Sequence, residues 1–144
     1  MNILVSGGAG YIGSATAEAL LNAGHTVTVF DSLITGHRGA VPEGANFIHS
    51  GLEDSHALAE TLTREQFDAI MHFAAFIEAG ESMKDPGRFF HNNFTNSLSL
   101  IETATRAGVK RFVFSSTAAV YRSSDIPLTE ESPLGPTNVY GQTK

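Results

Sequence analysis

Short apolar runs alternate with segments of helical periodicity along this chain of 144 residues. The run Ile3-Leu4-Val5 is continuous, which is typical of a strand buried on both faces, and it predicts a strand over Asn2–Ser6. Similar runs predict four further strands, at Thr26–Phe30, Asn46–His49, Asp68–Ala74 and Lys110–Ser115. Strands that alternate with helices predict an α/β fold with a parallel sheet and helices on both of its faces.

Apolar residues that recur every three or four positions predict the helices between these strands. The second of these helices begins after Glu53 or Asp54, either of which can cap it, and runs to about Leu62 with Leu58 on its inner face. The first helix follows the first strand and is marked by Ile12, Ala15, Ala19, Leu20 and Ala23.

The longest predicted helix runs from about Gly87 to Gly108, which ends it. This helix carries an amphipathic stripe formed by Phe90, Phe94, Leu98, Ile101 and Thr105. The stripe either packs on the chain's own sheet or forms a contact between two copies of the protein. Loops are predicted at 32–44, at 75–86 over a bound cofactor, and at 121–138, and the start of another helix is predicted at 139–144.

Composition and charge exclude several classes of protein. The net charge of −6 disfavours nucleic acid and anionic membranes as partners. The absence of cysteine excludes disulfides and thiolate metal sites, and the histidines show no metal-ligand spacing. No apolar stretch has membrane-spanning length, and the first strand follows Met1 directly, which leaves no room for a signal peptide. These features predict one cytoplasmic domain that uses no metal.

Three glycines stand between the first strand and the first helix. Gly7 lets the chain turn sharply, Gly10 has no side chain to hold a pyrophosphate away from the backbone, and Gly13 lets helix and strand pack closely. The helix N-terminus offers free N–H groups to the phosphates. The spacing differs from the plain dinucleotide fingerprint, so a tight turn without a ligand is the alternative.

An acid closes the second strand, where a dinucleotide site needs one. Asp31 would accept hydrogen bonds from a ribose 2′-hydroxyl and repel a 2′-phosphate, which favours NAD over NADP. His37 and Arg38 lie close in sequence and could soften this repulsion. The sequence therefore predicts an NAD site at the carboxyl end of the sheet.

Hydroxyl and amine groups cluster in the last thirty residues. Thr117 follows the fifth strand, and Tyr140 and Lys144 lie four positions apart, so they are neighbours on one helix face. The lysine would favour the phenolate of the tyrosine by charge, and Thr117 could hydrogen-bond to the same substrate oxygen. With NAD, these groups suit alcohol-to-ketone chemistry. A solvated Tyr–Lys pair is the alternative, as is a non-catalytic NAD-binding module, which would not need all three groups.

The same motifs, in the same order, resemble a known family. The segments that carry the resemblance are 7–13, 31–33, 36–38, 71–75, 80–86, 92–93, 114–121 and 140–144. The chain is similar to the extended short-chain dehydrogenases/reductases, and within them to the epimerases of nucleotide sugars. The resemblance implies a Rossmann-like, doubly wound parallel sheet. It also implies that residues 1–144 are the N-terminal part of an NAD-binding domain, truncated before the last strands and the C-terminal lobe that binds the substrate.

The resemblance implies an isomerase that interconverts UDP-glucose and UDP-galactose through a 4-keto intermediate. Tyr140 would take the proton of the sugar 4-hydroxyl, Thr117 would share the hydrogen bond at that oxygen, and Lys144 would hold the nicotinamide ribose. The 144-residue chain alone is expected to have little activity. The residues implied to bind NAD are Gly7, Gly10, Tyr11, Ile12, Gly13, Asp31, Ser32, Leu33, Gly51, Leu52, Phe73, Ala74, Ala75, Asn92, Ser115, Tyr140 and Lys144.

Three residues depart from the family pattern. Gly51 stands where the family usually has an Asp that holds the adenine amino group, Ile77 where it has a Lys near the pyrophosphate, and Arg122 where it has a Gly. Each departure either weakens NAD retention or marks a divergent branch. Ala118-Ala119 after Thr117 replaces the Asp-Glu pair of the family's dehydratases, which favours epimerisation. Another nucleotide-sugar epimerase or a dehydratase stays open as an alternative.

Overall fold

The sheet of the protein is seen in a computed structural model, which describes every residue from Met1 to Lys144. Five parallel strands lie in the order β3-β2-β1-β4-β5. In chain order they are β1 (Asn2–Ser6), β2 (Thr26–Asp31), β3 (Asn46–His49), β4 (Ala69–His72) and β5 (Arg111–Phe114). All five predicted strands are confirmed. β4 ends earlier than predicted because the N–H groups of Phe73 and Ala74 both turn onto the carbonyl of Ser6, at 2.8 and 3.1 Å.

The helices are mostly those that the periodicity predicts. They are α1 (Tyr11–Asn22), α2 (Ser55–Arg64), α3 (Ala79–Lys84), α4 (Pro86–Phe89), α5 (Asn96–Arg106) and α6 (Val139–Gln142). Of the two candidate caps for α2, Asp54 is the one used, since its Oδ1 accepts a hydrogen bond from Ala57 N–H at 2.9 Å. Gly108 follows α5 with φ of +81°, a backbone conformation that glycine adopts at little cost.

The chain forms two compact units. The first comprises Met1–Ala74 and Ser97–Ser115, and the second comprises Ala75–Asn96 and Ser116–Lys144. The first unit holds the whole sheet with α1 and α2. The second holds α3, α4 and α6. That residues 1–144 together form one nucleotide-binding domain stays a prediction.

The core of the first unit lies on both faces of the sheet. Successive strand residues point to opposite faces, so the continuous apolar run of β1 divides between them. Leu4 packs on one face with Leu58 of α2 and Leu100 of α5. Ile3 and Val5 pack on the other face, with Ala17 of α1. The predicted burial of β1 on both faces is therefore confirmed.

The residues of α1 that face the sheet are not those whose apolar spacing predicts the helix. The buried residues of this helix are Gly13 and Ala17, whereas Ile12 is 59% exposed. The physical reason is the close approach of the helix to the glycine turn. A Cβ on Gly13 would collide with the carbonyl of Gly7, so small residues face the sheet here and large ones are turned away.

The predicted loop at 75–86 is wrong, because it contains the helix α3. Its segment Ala79–Lys84 contains Ala, Glu, Met and Lys, which are good helix formers, and the ammonium of Lys84 lies 2.8 Å from the Glu81 carboxylate. Asp85 then caps α4 by accepting a hydrogen bond from Arg88 N–H at 3.1 Å.

The long predicted helix is present as α4 and α5, joined by a π-helical segment at Phe90–Thr95. Its predicted stripe does not pack on the sheet, since Phe90, Phe94, Leu98 and Ile101 are all exposed. The buried positions are instead Phe89, Asn93, Ser97, Leu100 and Ala104. Hydrophobic periodicity overlooks this face because Asn93 and Ser97 are polar and are buried with hydrogen-bond partners.

Two further findings concern metals and membranes. No three side chains of His, Asp or Glu come together in a group that could hold a metal ion. None of the helices combines the length and the apolar character needed to cross a bilayer.

Candidate functional site

The turn between β1 and α1 brings backbone against backbone. Gly7 has φ of +75°, and a Cβ there would collide with the backbone of Phe73 and Ala74. Gly13 is equally crowded, whereas a Cβ on Gly10 would meet only the carbonyl of Gly7, at 3.4 Å. The turn is thus tightly packed against other backbone atoms at Gly7 and Gly13, and it leaves free space beside Gly10. An open backbone turn at a helix N-terminus fits the pyrophosphate of a dinucleotide.

Asp31 is tied to this turn by hydrogen bonds from the backbone. Its Oδ2 accepts from Ala9 N–H at 2.9 Å, and its Oδ1 accepts from Leu33 N–H at 2.8 Å. The residue is only 9% exposed. A carboxylate has about four acceptor positions, so it keeps capacity for a ribose hydroxyl. The carboxylate therefore fits the role predicted for it.

The loop after β2 lies against the glycine turn. His37 N–H donates to the carbonyl of Ala9 at 3.0 Å, so both backbone groups of Ala9 are bound by this loop or by Asp31. Leu33 has φ of +60°, an uncommon conformation for a residue other than glycine. The guanidinium of Arg38 stacks 4.5 Å from the centre of the Phe47 ring. No ion pair joins Arg38 to Asp31, and the softening of the carboxylate's repulsion by His37 and Arg38 stays a prediction.

The segment after β3 continues the same edge of the sheet. Ser50 N–H donates to the carbonyl of Asp31 at 3.1 Å, and Asp54 N–H donates to the carbonyl of Gly51 at 3.1 Å, which closes a turn over residues 51–54. Leu52 is buried in the hydrophobic core beside this turn. Ser32 is half-buried, and its carbonyl lies 3.2 Å from His49 Nε2.

A buried polar network lies at the ends of β1 and β4, where sequence reasoning identified no role. Ser6 Oγ lies 2.6 Å from His72 Nδ1, and Ser97 Oγ lies 2.7 Å from His72 Nε2. His72 is fully buried. The network joins the last residues of β1 and β4, which Gly7 and Phe73 follow in the chain, to Ser97 of α5. The signal in the sequence is a histidine within an apolar strand.

For two of the predicted cofactor residues, Ser115 and Asn92, the structure shows hydrogen bonds only to other residues of the chain. Ser115 N–H donates to the carbonyl of His72 at 3.1 Å and so extends β5. Asn92 donates through Nδ2 to Asn93 Oδ1 at 2.9 Å. Of the departures from the family pattern, Ile77 is 64% exposed and Arg122 donates through N–H to the carbonyl of Pro133.

In the second unit, the helix that carries Tyr140 is held at its start. Asn138 Oδ1 accepts from Gly141 N–H at 2.7 Å, and Ser82 Oγ accepts from Tyr140 N–H at 3.0 Å. Ser82 is itself fully buried and donates to the carbonyl of Ala79 at 2.6 Å. The backbone of Tyr140 is therefore fixed although α6 is only four residues long.

The turn that follows Thr117 approaches the same helix through a close backbone contact at Ala119. The Oγ1 of Thr117 accepts from Ala119 N–H at 3.2 Å, which caps the short 3₁₀ turn Ala118–Val120. A Cβ on Gly141 would collide with the carbonyl of Ala119, so only glycine permits this approach without a shift. The contact brings the turn after Thr117 against the helix of Tyr140.

Asn93 makes the hydrogen bonds that connect the parts of this second unit. The residue predicted from the sequence to have a role here is its neighbour Asn92. Asn93 Oδ1 accepts from Phe76 N–H at 2.8 Å, and its Nδ2 donates to the carbonyl of Phe76 at 2.9 Å and to Thr143 Oγ1 at 3.1 Å. Thr143 in turn donates to the carbonyl of Tyr140 at 2.8 Å. One amide thus connects the π-helical segment to α6. π-helical turns are frequent at functional sites, but no sequence pattern separates Asn93 from Asn92.

Lys144 lies next to this helix and is largely withdrawn from solvent. Burial lowers the pKa of its ammonium to about 8. Its carbonyl accepts a hydrogen bond from Ser116 Oγ at 3.4 Å. A lysine with a lowered pKa can change its charge within a range that matters for proton transfer.

Fold and site together define a class of protein. A parallel sheet whose central strand passes through a glycine turn into a helix, with an acid at the end of the next strand, is a Rossmann-like dinucleotide-binding architecture. The model of the NAD dependent epimerase/dehydratase family matches residues 3–144. The chain belongs to this family.

Named relatives and solved structures narrow the class further. The UDP-glucose 4-epimerase of Lacticaseibacillus casei is 48% identical over 145 residues, which cover 100% of this chain and 44% of that protein. The UDP-Glc/GlcNAc 4-epimerase of Campylobacter jejuni superposes with a TM-score of 0.95 at 44% identity, over 99% of this chain and 45% of that one. The UDP-glucose 4-epimerase of Brucella ovis in complex with NAD gives 0.94 at 38% identity, over 99% and 44%. The chain thus spans less than half the length of these relatives.

Asn93→Ala is expected to destabilise the protein by about 1–3 kcal/mol, because the two backbone groups of half-buried Phe76 lose a partner and buried Thr143 loses one of its hydrogen bonds. Asn92→Ala removes the same chemical group one position away and is expected to cost well under about 1 kcal/mol, since that side chain is half-buried and makes one bond. Urea unfolding of the two variants measures the difference. Equal losses would contradict the central role of Asn93.

Lys144→Met is expected to change how stability depends on pH. The folded-state pKa of Lys144, about 8, lies below its usual value of 10.5, so the unfolded state binds the extra proton between these values. The unsubstituted protein should therefore gain stability as pH rises from about 8 towards 10, and Lys144→Met should lack this gain. Unfolding by urea at several pH values measures it, with the exposed Lys110→Met as control. Parallel profiles for all three proteins would refute the burial of the ammonium.

Proposed function

We propose that the protein to which this chain belongs interconverts UDP-glucose and UDP-galactose by inverting C4 of the sugar, with NAD as its bound cofactor. The observation that supports this most is the packing of the turn after Thr117 against the helix of Tyr140 at Gly141. Membership of the epimerase/dehydratase family and the names of the relatives support the same reaction.

The first unit would hold the cofactor. Gly7, Gly10 and Gly13 would admit the pyrophosphate, with the first N–H groups of α1 at Tyr11 and Ile12 directed to it. Asp31 would accept a hydrogen bond from the ribose beside it, and its charge would exclude a 2′-phosphate. Ser32, Leu33, Gly51, Leu52, Phe73, Ala74 and Ser115 complete the contacts proposed for the first unit, and Ala75 and Asn92 are the proposed contacts that belong to the second unit.

The second unit would carry the proton chemistry. NAD, when bound, supplies a reversible acceptor for the hydrogen on C4 of the sugar. Tyr140 as phenolate accepts the proton of the 4-hydroxyl and returns it to the same oxygen after the 4-keto sugar has presented its other face. Thr117 hydrogen-bonds to that oxygen, and the ammonium of Lys144 favours the phenolate by its charge. Since the pKa of Lys144 is about 8, this ammonium is mostly protonated at neutral pH.

The runner-up function is epimerisation of a different UDP-sugar. The Campylobacter jejuni relative is named for both UDP-Glc and GlcNAc, and a relative from Arabidopsis thaliana is a UDP-arabinose 4-epimerase. A dehydratase is less well supported, because Ala118 and Ala119 provide no carboxylate after Thr117. A non-catalytic NAD-binding module would not need Thr117, Tyr140 and Lys144 together.

The proposal includes a homodimer. Phe90, Phe94, Leu98 and Ile101 are exposed at successive turns of one helical stretch. Large apolar side chains in such a row mark interaction surfaces, and a second copy of the chain offers a matching apolar face.

Tyr140→Phe in the natural-length protein is expected to lower the turnover of UDP-galactose by about 10²–10⁴-fold, because it removes the proton acceptor. NMR of the anomeric protons measures turnover, and calorimetry with NAD tests whether cofactor binding survives. Tyr121→Phe removes the hydroxyl of another half-buried tyrosine and should leave turnover intact. No turnover in a folded, unsubstituted protein that binds NAD would overturn the proposed reaction.

Phe94→Glu is expected to convert the proposed dimer to a monomer, because it places a charge in the apolar row, where Phe94 is 55% exposed. Sedimentation velocity measures the change. Ile126→Glu places the same charge at another exposed apolar residue and should leave the dimer unchanged. A monomeric unsubstituted protein would rule out this surface as a dimer contact.

A further inference from the structure

The order of the strands decides where each part of a bound dinucleotide must lie. In the proposed function the pyrophosphate lies at the end of β1 and the ribose at Asp31, the end of β2. The sheet runs β3-β2-β1, so the next position outward from the ribose is the end of β3. Asp31 pairs with His49 at that end, and the chain continues directly into residues 50–54. The base of the nucleotide would therefore face this turn.

Residues 51–54 form a turn in which the side chain of Glu53 folds back over Gly51. A Cβ built on Gly51 would collide with the Glu53 carboxylate, which occupies the space that a side chain at 51 would fill. Gly51 has no positive φ, so its backbone does not demand a glycine. The lack of a side chain at 51 is instead what leaves room for the carboxylate.

The other carboxylates at this edge already have backbone partners. Both oxygens of Asp31 accept backbone N–H groups. Asp54 caps α2 through its bond from Ala57 N–H. Glu53 belongs to none of the ion pairs of the structure and accepts no hydrogen bond with its side chain. Its exposed carboxylate is an acceptor that a ligand can use.

We propose that the Glu53 carboxylate accepts a hydrogen bond from the exocyclic amino group of the adenine of NAD. The inference rests on the proposed function, since it requires NAD in the first unit. A carboxylate accepts hydrogen bonds only, so it distinguishes a base with an amino group from one with a carbonyl at the same position. Buried Leu52 anchors the turn in the core and Asp54 anchors it to α2, which holds Glu53 in place.

The position of the Glu53 carboxylate also explains why residue 51 is a glycine. By its sequence alone, this glycine is a departure from the family pattern that removes an acidic side chain from the adenine site. In the structure an acidic side chain occupies that space, supplied from two positions further along the chain. The departure is therefore a relocation of the acceptor, and Gly51 and Glu53 act as a pair.

The test compares the binding of NAD with that of its deamino analogue, in which hypoxanthine presents a carbonyl in place of the amino group. The unsubstituted protein is expected to bind NAD about tenfold more tightly than the analogue, as for one hydrogen bond to a charged acceptor. Glu53→Ala should lose this preference, and Gly51→Ala should also reduce it because the new Cβ displaces the carboxylate. Isothermal calorimetry measures both ligands.

Two control variants complete the design. Glu60→Ala removes another exposed glutamate, on α2, and Gly39→Ala adds a Cβ where no atom lies within 4 Å. Both should keep the preference for NAD. NAD binding with a preference that Glu53→Ala leaves unchanged would overturn this inference alone. A folded, unsubstituted protein that binds neither ligand would overturn the proposed function and the inference with it.

Discussion

The hydrogen bond from Ala9 N–H to the Asp31 carboxylate is the contact on which the proposed cofactor site of the first unit depends. It joins the glycine turn after β1 to the end of β2, and the loop after β2 then closes over the turn through His37. A carboxylate withdrawn from water must be hydrogen-bonded, and here the backbone supplies the donors. The shape of the glycine turn and the position of the Asp31 carboxylate are therefore coupled, so that neither can change without the other.

The second unit is organised by polar groups in place of a large apolar core. Asn93 binds both backbone groups of Phe76 and also Thr143, and Ser82 binds the backbone of Tyr140. Buried networks of this kind stabilise a unique arrangement only if each member has its partners. The position of Tyr140 thus depends on side chains that touch neither substrate nor cofactor in the proposed reaction.

The sequence predicted what is local and repetitive. Continuous apolar runs identified all five strands, and the glycines after β1 indicated a turn whose close backbone contacts the structure confirms at Gly7 and Gly13. Tertiary hydrogen bonds could not be predicted in this way. Asn93 is buried and Asn92 is not, yet the two carry the same side chain, so only their partners in the fold distinguish them. The apolar stripe that includes Phe90 and Phe94 does not mark the buried face of its helix, because that face carries the polar residues Asn93 and Ser97.

The loop after β2 contains Leu33 in a backbone conformation that is unfavourable for a residue other than glycine. A left-handed φ at a branched residue costs of order 1 kcal/mol or more, and the conformation persists only where its surroundings impose it. Here Asp31 imposes it, through the bond that its Oδ1 accepts from Leu33 N–H. The carboxylate of Asp31 therefore holds the backbone of Leu33 in a conformation that Leu33 would not favour by itself. Loss of that hydrogen bond would remove the contact that keeps Leu33 in the left-handed conformation, so the path of the chain from Ser32 to Ile34 depends on one carboxylate oxygen.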